Sequence, residues 1–113
     1  MKKEKIHHFT QQLNSYQKSQ LLSLAHHLKP FIQIGNQGIG DTLKLEIKNT
    51  LEKHELIKIQ LPANSNAQDK ENETTLIETC LPENAHIVDR IGRIIIAYLE
   101  KDPNNAKIIL KNL

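Results

Sequence analysis

Three of the four glycines in this 113-residue chain fall within six residues, Gly35-Asn36-Gln37-Gly38-Ile39-Gly40. Glycine is favoured where the backbone takes positive φ or where another group must come close to it, so the cluster marks an abrupt change of chain direction. Its flanks decide what is being connected. Phe31–Ile34 is short, apolar and β-prone, which reads as a buried strand. Asp41 to Glu55 reads as a helix in which Leu43, Ile47, Thr50, Leu51 and His54 share one face, within about 100° of arc. Asp41 in its first turn complements the helix dipole, and Leu45 falls off the stripe into solvent. From Leu56 to Leu61, Ile57, Ile59 and Leu61 alternate with Lys58 and Gln60, a half-buried strand stopped by Pro62. Strand, glycine turn, helix and strand in succession place the chain in the α/β class.

The remaining segments extend the same alternation. Asn14 can cap a first helix, with Gln17 three positions on completing a capping box. The helix runs to Leu28 or Lys29 and stops before Pro30, because the residue preceding a proline avoids the helical region. Gln17, Leu21, Leu24, Ala25 and Leu28 form its core stripe, while Lys18, Leu22, His26 and Lys29 lie on the opposite and flanking sides. Residues 63–72 (ANSNAQDKEN) are polar and read as a surface loop. Glu73–Leu81 reads as a short helix ended by Pro82, His86–Ile91 as a third strand, and Arg93–Leu99 as a fourth after a tight Gly92-Arg93 turn. Asp102-Pro103-Asn104-Asn105 is a turn, and Lys107–Leu110 has the composition of an edge strand. The order α-β-α-β-α-β-β gives a compact sandwich with helices packed on a four-stranded mixed sheet and one parallel crossover.

Composition bounds the chemistry. Apolar residues make up 38% of the chain and aromatic ones 4%, with no Trp, so the core is aliphatic. Cys80 is the only cysteine, which excludes an internal disulfide and a thiolate-only metal site. No apolar run approaches the roughly 18 residues of a membrane span, and the basic start, MKKEKIHHF, lacks the apolar segment of a signal peptide. These features lead us to expect a reduced, cytoplasmic, monomeric domain. The net charge of +2 hides a division. Residues 1–62 carry nine Lys against five carboxylates, residues 63–88 carry Lys70 against five, and residues 89–113 return to an excess of two positive charges. One face is then basic and can meet a polyanion, and another is acidic.

No catalytic constellation is present. GxSxG, HExxH and a P-loop lysine are all missing. His54-Glu55 begins like HExxH, but no second histidine follows. His26 and His27 point about 100° apart on a helix and cannot easily share an ion, while His7-His8 has no cluster beside it to complete a site. No metal, cofactor or small-molecule substrate is expected. The glycine loop is the remaining candidate. It reads G-x-x-G-x-G, neither a dinucleotide fingerprint nor a P-loop, and it presents backbone N–H groups at a helix N-terminus with no side chains in the way. Phosphate oxygens are suited to that arrangement. A tight turn that merely needs glycine for positive φ is the plainer alternative.

Motifs flanking the loop tip the balance. AHHLKP (25–30), IGNQGIG (34–40), KHELIKI (53–59) and VDRIGRIIIAYL (88–99) together resemble the CRM domain, named for chloroplast RNA splicing and ribosome maturation, whose bacterial single-domain members are the YhbY-like proteins. The resemblance covers about residues 13–101, leaving a basic tail over 1–12 and a C-terminal tail over 102–113. It implies a fold similar to the C-terminal domain of translation initiation factor three. It also implies a non-enzymatic RNA-binding module that associates with large ribosomal subunit precursors. Carried onto this chain, Gly35, Asn36, Gln37 and Gly38 form the RNA-contacting loop, extended by Lys18, His26 and Lys29 on the first helix, Lys44 and Lys48 on the second, and Arg93 at the last turn. The chain departs from the family pattern where a basic residue usually follows the first loop glycine, since Asn36 stands there. Gly40 replaces the usual Ser or Thr cap, and Asp41 adds an anion, so a modest, salt-sensitive affinity is expected. Two alternatives stay open: a binder of another structured RNA, such as tRNA or an intron-like element, and a protein-interaction adaptor using Leu45 and the acidic 63–88 segment.

Overall fold

The computed structural model describes residues 12–35 and 37–110. Most of the basic 1–12 tail, His7-His8 and Asn36 therefore lie outside the described residues. Within them the order is α1 (Ser15–Ala25), β1 (Ile32–Gln33), α2 (Asp41–His54), β2 (Leu56–Gln60), α3 (Ala67–Cys80), β3 (Ala85–Ile91) and β4 (Ile94–Leu99). The strands form one sheet in the order β1-β2-β4-β3. β1 and β2 are parallel, joined through α2, and the other two pairings are antiparallel. The α/β class, the element order and the mixed sheet are those expected from the sequence.

Helices cover both faces of the sheet. On one face Ile47 and Leu51 of α2 and Ile77 of α3 close over Ile32, Ile57, Ile59, Ile95, Ala97 and Leu99. On the other, Leu13, Leu21 and Ala25 pack on Leu56, Val88, Ile96 and Tyr98, with Ile108 and Leu110 at the margin. β2 is therefore more deeply buried than its alternation suggested. Leu56 is buried beneath α1, and the Lys58 ammonium donates to the Leu28 carbonyl at 2.7 Å rather than serving solubility alone. Leu24, placed on the core stripe by helical spacing, is 44% exposed. β1 is shorter than expected and leaves Phe31 outside it and partly exposed, because the pairing runs only over Ile32 and Gln33.

Two local corrections have clear physical causes. The segment 63–72 is not all loop. The Asn66 side chain accepts from the Asp69 N–H at 2.8 Å while Asp69 accepts from the Asn66 N–H, a reciprocal cap that starts α3 at Ala67. The same device opens α1 through Asn14 and Gln17, as expected. Lys107–Leu110 forms no strand. The Lys107 and Ile108 N–H groups instead donate to the buried Glu55 carboxylate at 2.9 and 3.0 Å. On β3 a bulge between Ile87 and Asp89 shifts the register and leaves Asp89, Arg90 and Ile91 exposed at the sheet edge. Among the described residues no helix is long and apolar enough to cross a membrane.

Glu55 caps α2 at φ 66°, a positive value unusual for a residue with a Cβ. Two effects then oppose each other on substitution. Glu55→Ala removes charge-assisted bonds, each contributing about 1.5–3 kcal/mol, while keeping the unfavourable φ. Glu55→Gly loses the same bonds but relieves backbone strain of roughly 1 kcal/mol. Chemical denaturation should therefore find Glu55→Gly less destabilised than Glu55→Ala. In both variants, hydrogen exchange should show lost protection at the amides of Lys107 and Ile108.

His86 on β3 lies over the buried Tyr98 ring, with centroids 6.3 Å apart, and its Nε2 is buried without a hydrogen-bond partner among the described residues. Burial lowers its pKa below the usual histidine value, and the Glu100 charge opposes that only in part. The folded state thus binds fewer protons than the unfolded one as pH falls past about 6.5, so acidification destabilises the fold. Denaturation midpoints should fall from pH 7.5 towards 5, and His86→Gln should flatten that slope.

Candidate nucleic-acid interface

The loop begins where β1 pairing ends. The Ile34 N–H donates to the Gln60 carbonyl at 2.8 Å, and a turn then closes with the Gly38 N–H donating to the Gly35 carbonyl at 3.1 Å. Gly38 sits at φ 80°, a left-handed conformation that makes glycine the natural residue there. Nothing lies within 4 Å of the Cβ positions of Gly35, Gly38 or Gly40, so this side of the loop is open. Gly40 is extended and serves as the N-cap of α2, accepting the Lys44 N–H at 3.0 Å. No side chain among the described residues caps α2, whereas α1 and α3 both have reciprocal caps. The first-turn N–H groups of α2 are thus left facing the loop, on the positive end of the helix dipole. Beside them is an open hollow of about 400 Å³ lined by Gln33, Gly35, Gln37, Gly38, Gly40 and the first turn of α2. Asp41 and Glu46 also line it and oppose an anion there.

Sheet register brings the β3–β4 turn to the same end of the molecule. Gln33 pairs with Gln60, Gln60 with Ile94, and Ile94 with Ile91. The Leu61 N–H donates to the Arg93 carbonyl at 2.7 Å, so Arg93 flanks the strand next to the loop. β1 and β4 are two strand spacings apart, about 10 Å. Arg90, which the sequence reading passed over, is exposed and donates from Nη1 to the Gly92 carbonyl at 3.0 Å, framing this turn with Arg93. The signal was present in D-R-I-G-R, where two arginines straddle a glycine turn of φ 60°.

The other candidates are dispersed. His26, at the end of α1, lines a second hollow with Leu22, Lys58, Ile91, Ile94 and Ile96, on the α1 face but at the loop end of the sheet. Lys29 is exposed on the connection from α1 to β1. Lys18 lines a crevice with Glu78, Pro82 and His86 beside β3, the strand at the far edge from β1. Lys44 and Lys48 are exposed on α2, but the loop hollow is lined from the Glu46 flank of that helix and not by them. Lys44 instead faces α3, where its charge partly offsets the burial that pushes the Cys80 thiol up. The geometry therefore gathers Gly35, Gln37 and Gly38 with Arg93 and Arg90, with His26 at the same end of the sheet. It does not bring Lys18 to them, and Asn36 is outside the described residues.

Comparison with known proteins agrees with the fold and the loop-bearing motifs. The sequence model of the CRS1/YhbY (CRM) domain matches residues 13–98. An RNA-binding protein of Haemophilus influenzae is 35% identical over 99 residues, spanning 87% of this chain and 94% of its own. A probable RNA-binding protein of Pseudomonas aeruginosa is 32% identical over 84% of this chain and 88% of its own. The probable RNA-binding protein YqeI of Bacillus subtilis is 33% identical, over 81% and 93%. In three dimensions, the solution structure of a hypothetical Staphylococcus aureus protein, itself suggested to bind RNA, superposes with a TM-score of 0.68 at 37% identity. That match covers 88% of this chain and all of the other. With the family motifs, the element order and the sheet topology all in agreement, the chain belongs to the CRS1/YhbY (CRM) domain family.

Proposed function

We propose that this protein binds RNA through the 35–40 loop and the adjoining β3–β4 turn, and that its target is ribosomal RNA of the large subunit during assembly. The observation that carries the reading is the uncapped start of α2 behind an unobstructed glycine loop, in a fold whose relatives are named for RNA binding. Backbone N–H groups and the helix dipole bind phosphate oxygens irrespective of base, and Arg93 and Arg90 add cations about two and three strand spacings away. The expected recognition is of backbone and shape, the mode by which GxxG loops clamp nucleotides. Asp41 and Glu46 temper the attraction, so affinity falls steeply with salt. The protein would act as a non-enzymatic monomer in the cytoplasm, with Lys29 and His26 widening the contact.

Salt-titrated binding to large-subunit ribosomal RNA fragments checks the reading. Gly38→Asp sets a carboxylate where a phosphate would sit and should lower affinity at least tenfold, whereas Gly38→Asn keeps similar bulk without the charge and should lose less. Arg93→Gln should reduce the slope of log K against log salt by about one ion. In gradient sedimentation at low salt, the protein should co-migrate with large-subunit precursors. Finding it only at the top of the gradient would sink the ribosomal assignment, and absence of binding to any structured RNA at low salt would sink the loop as an RNA site.

A further inference from the structure

Phe31, one residue before β1, is pinned by its N–H, which donates to the Lys58 carbonyl at 3.1 Å. Its ring lies flat on the His54 imidazole at the end of α2, with centroids 4.5 Å apart and planes 12° from parallel. Although one ring face is covered in this way, Phe31 remains 42% exposed. An apolar ring left on the surface needs no explanation by itself, but its surroundings here are ionic. Lys29, two residues before Phe31, and Lys53, one residue before His54, are both exposed. The Lys107 ammonium donates to the Lys53 carbonyl at 2.9 Å, which brings a third cation to the same end of α2. The local carboxylates are engaged: Glu52 with Lys101 at 4.0 Å, and Glu55 buried against the N–H groups of Lys107 and Ile108.

The geometry points to the Phe31–His54 pair as a stacking platform for an unpaired RNA base, a second contact beyond the glycine loop. A flat aromatic surface rimmed by ammonium groups is the chemistry that holds single-stranded nucleic acid, with the ring taking the base and the cations taking the backbone. An apolar protein partner would have to accommodate the exposed lysines that neighbour Phe31 and His54 along the chain, a poor match for a dry interface. Position supports the assignment. Phe31 and Gly35 lie on one edge of the sheet, about 13 Å apart at roughly 3.3 Å per strand residue. A strand gripped at the loop can therefore lay a neighbouring unpaired base on Phe31. The inference rests on the reading of this chain as an RNA binder.

Two RNAs separate the possibilities: a labelled blunt-ended duplex, and the same duplex carrying a short single-stranded oligoadenylate tail. The wild-type protein should prefer the tailed RNA by roughly five- to a hundredfold, the range expected from stacking one base on an aromatic ring. Phe31→Ala should bring the ratio close to one. Phe31→Leu should do the same while keeping apolar bulk against His54 and an unchanged melting temperature, and Phe31→Tyr should retain the preference. A wild-type ratio of one, or a preference that survives Phe31→Leu, overturns the platform while leaving duplex binding, and with it the loop reading, intact. Binding of neither RNA at low salt overturns both.

Discussion

The buried carboxylate of Glu55 joins parts of the chain that lie far apart in sequence. Burying an ion among aliphatic side chains is unfavourable unless its oxygens are satisfied. Here both oxygens accept backbone N–H groups from a segment more than fifty residues away in sequence. The same residue ends α2, turns the chain at positive φ into β2, and accepts the Leu99 N–H at its carbonyl. One residue thus ties a helix end, two strands and the C-terminal segment together. Because α2 is a rigid rod of about 21 Å, fixing its C-terminus also fixes its N-terminus, where the glycine loop sits. The open loop at one end and the Phe31–His54 stack at the other are held in register by this junction.

The charge division seen along the sequence acquires a different meaning in three dimensions. The lysines of α2 look like natural companions of the loop because they follow it closely in sequence. Helical rotation instead carries Lys44 towards α3, whose acidic surface includes Asp69, Glu71 and Glu78. The hollow beside the loop is left with Asp41 and Glu46. On the proposed function, attraction for a phosphate at that point would come from backbone dipoles and from the arginines at the β3–β4 turn. Arginine suits that task, since its planar guanidinium stays charged and can meet a phosphate with two parallel bonds.

Much of the architecture was legible because it rests on local signals. The Asn14–Gln17 cap, Pro62 and Pro82 as stops, the Gly92 turn and the alternation in β2 each act within a few residues, and each fell where the sequence put it. The failures are of two kinds, one local and the rest not. Asn66–Asp69 is the same cap as Asn14–Gln17, but it sits in a polar stretch with no apolar periodicity to announce a helix. Leu24 follows helical spacing yet misses the core, because α1 covers only part of the sheet and the stripe outruns what it covers. The burial of Leu56 on the second face of β2 and the tether from Glu55 to Lys107 both depend on partners far along the chain. Periodicity reports which face of an element is apolar, but not how much of that face a neighbour covers.

The same limit explains why the turn at the glycine loop was legible in the sequence while the side chains gathered around it were less so. Glycine spacing encodes the loop, since a positive φ at Gly38 is a local demand. Which cations join it is a question of topology. Parallel pairing of β1 with β2, and antiparallel pairing of β2 with β4, put the end of β1 and the start of β4 at the same end of the sheet, with β2 between them. Arg93 and Arg90 therefore come to the loop end of the sheet although they are fifty or more residues from the loop in sequence. Lys18, closer along the chain, is carried to the opposite edge by the path of α1 across the second face. Aromatic content follows a similar logic. An aliphatic core that takes Tyr98 and leaves Phe31 on the surface is not short of room for rings in general; Phe31 precedes a two-residue strand at the edge of the sheet and lays one face of its ring on His54. A base stacked there, as proposed, would lie against the part of the ring that the fold leaves exposed.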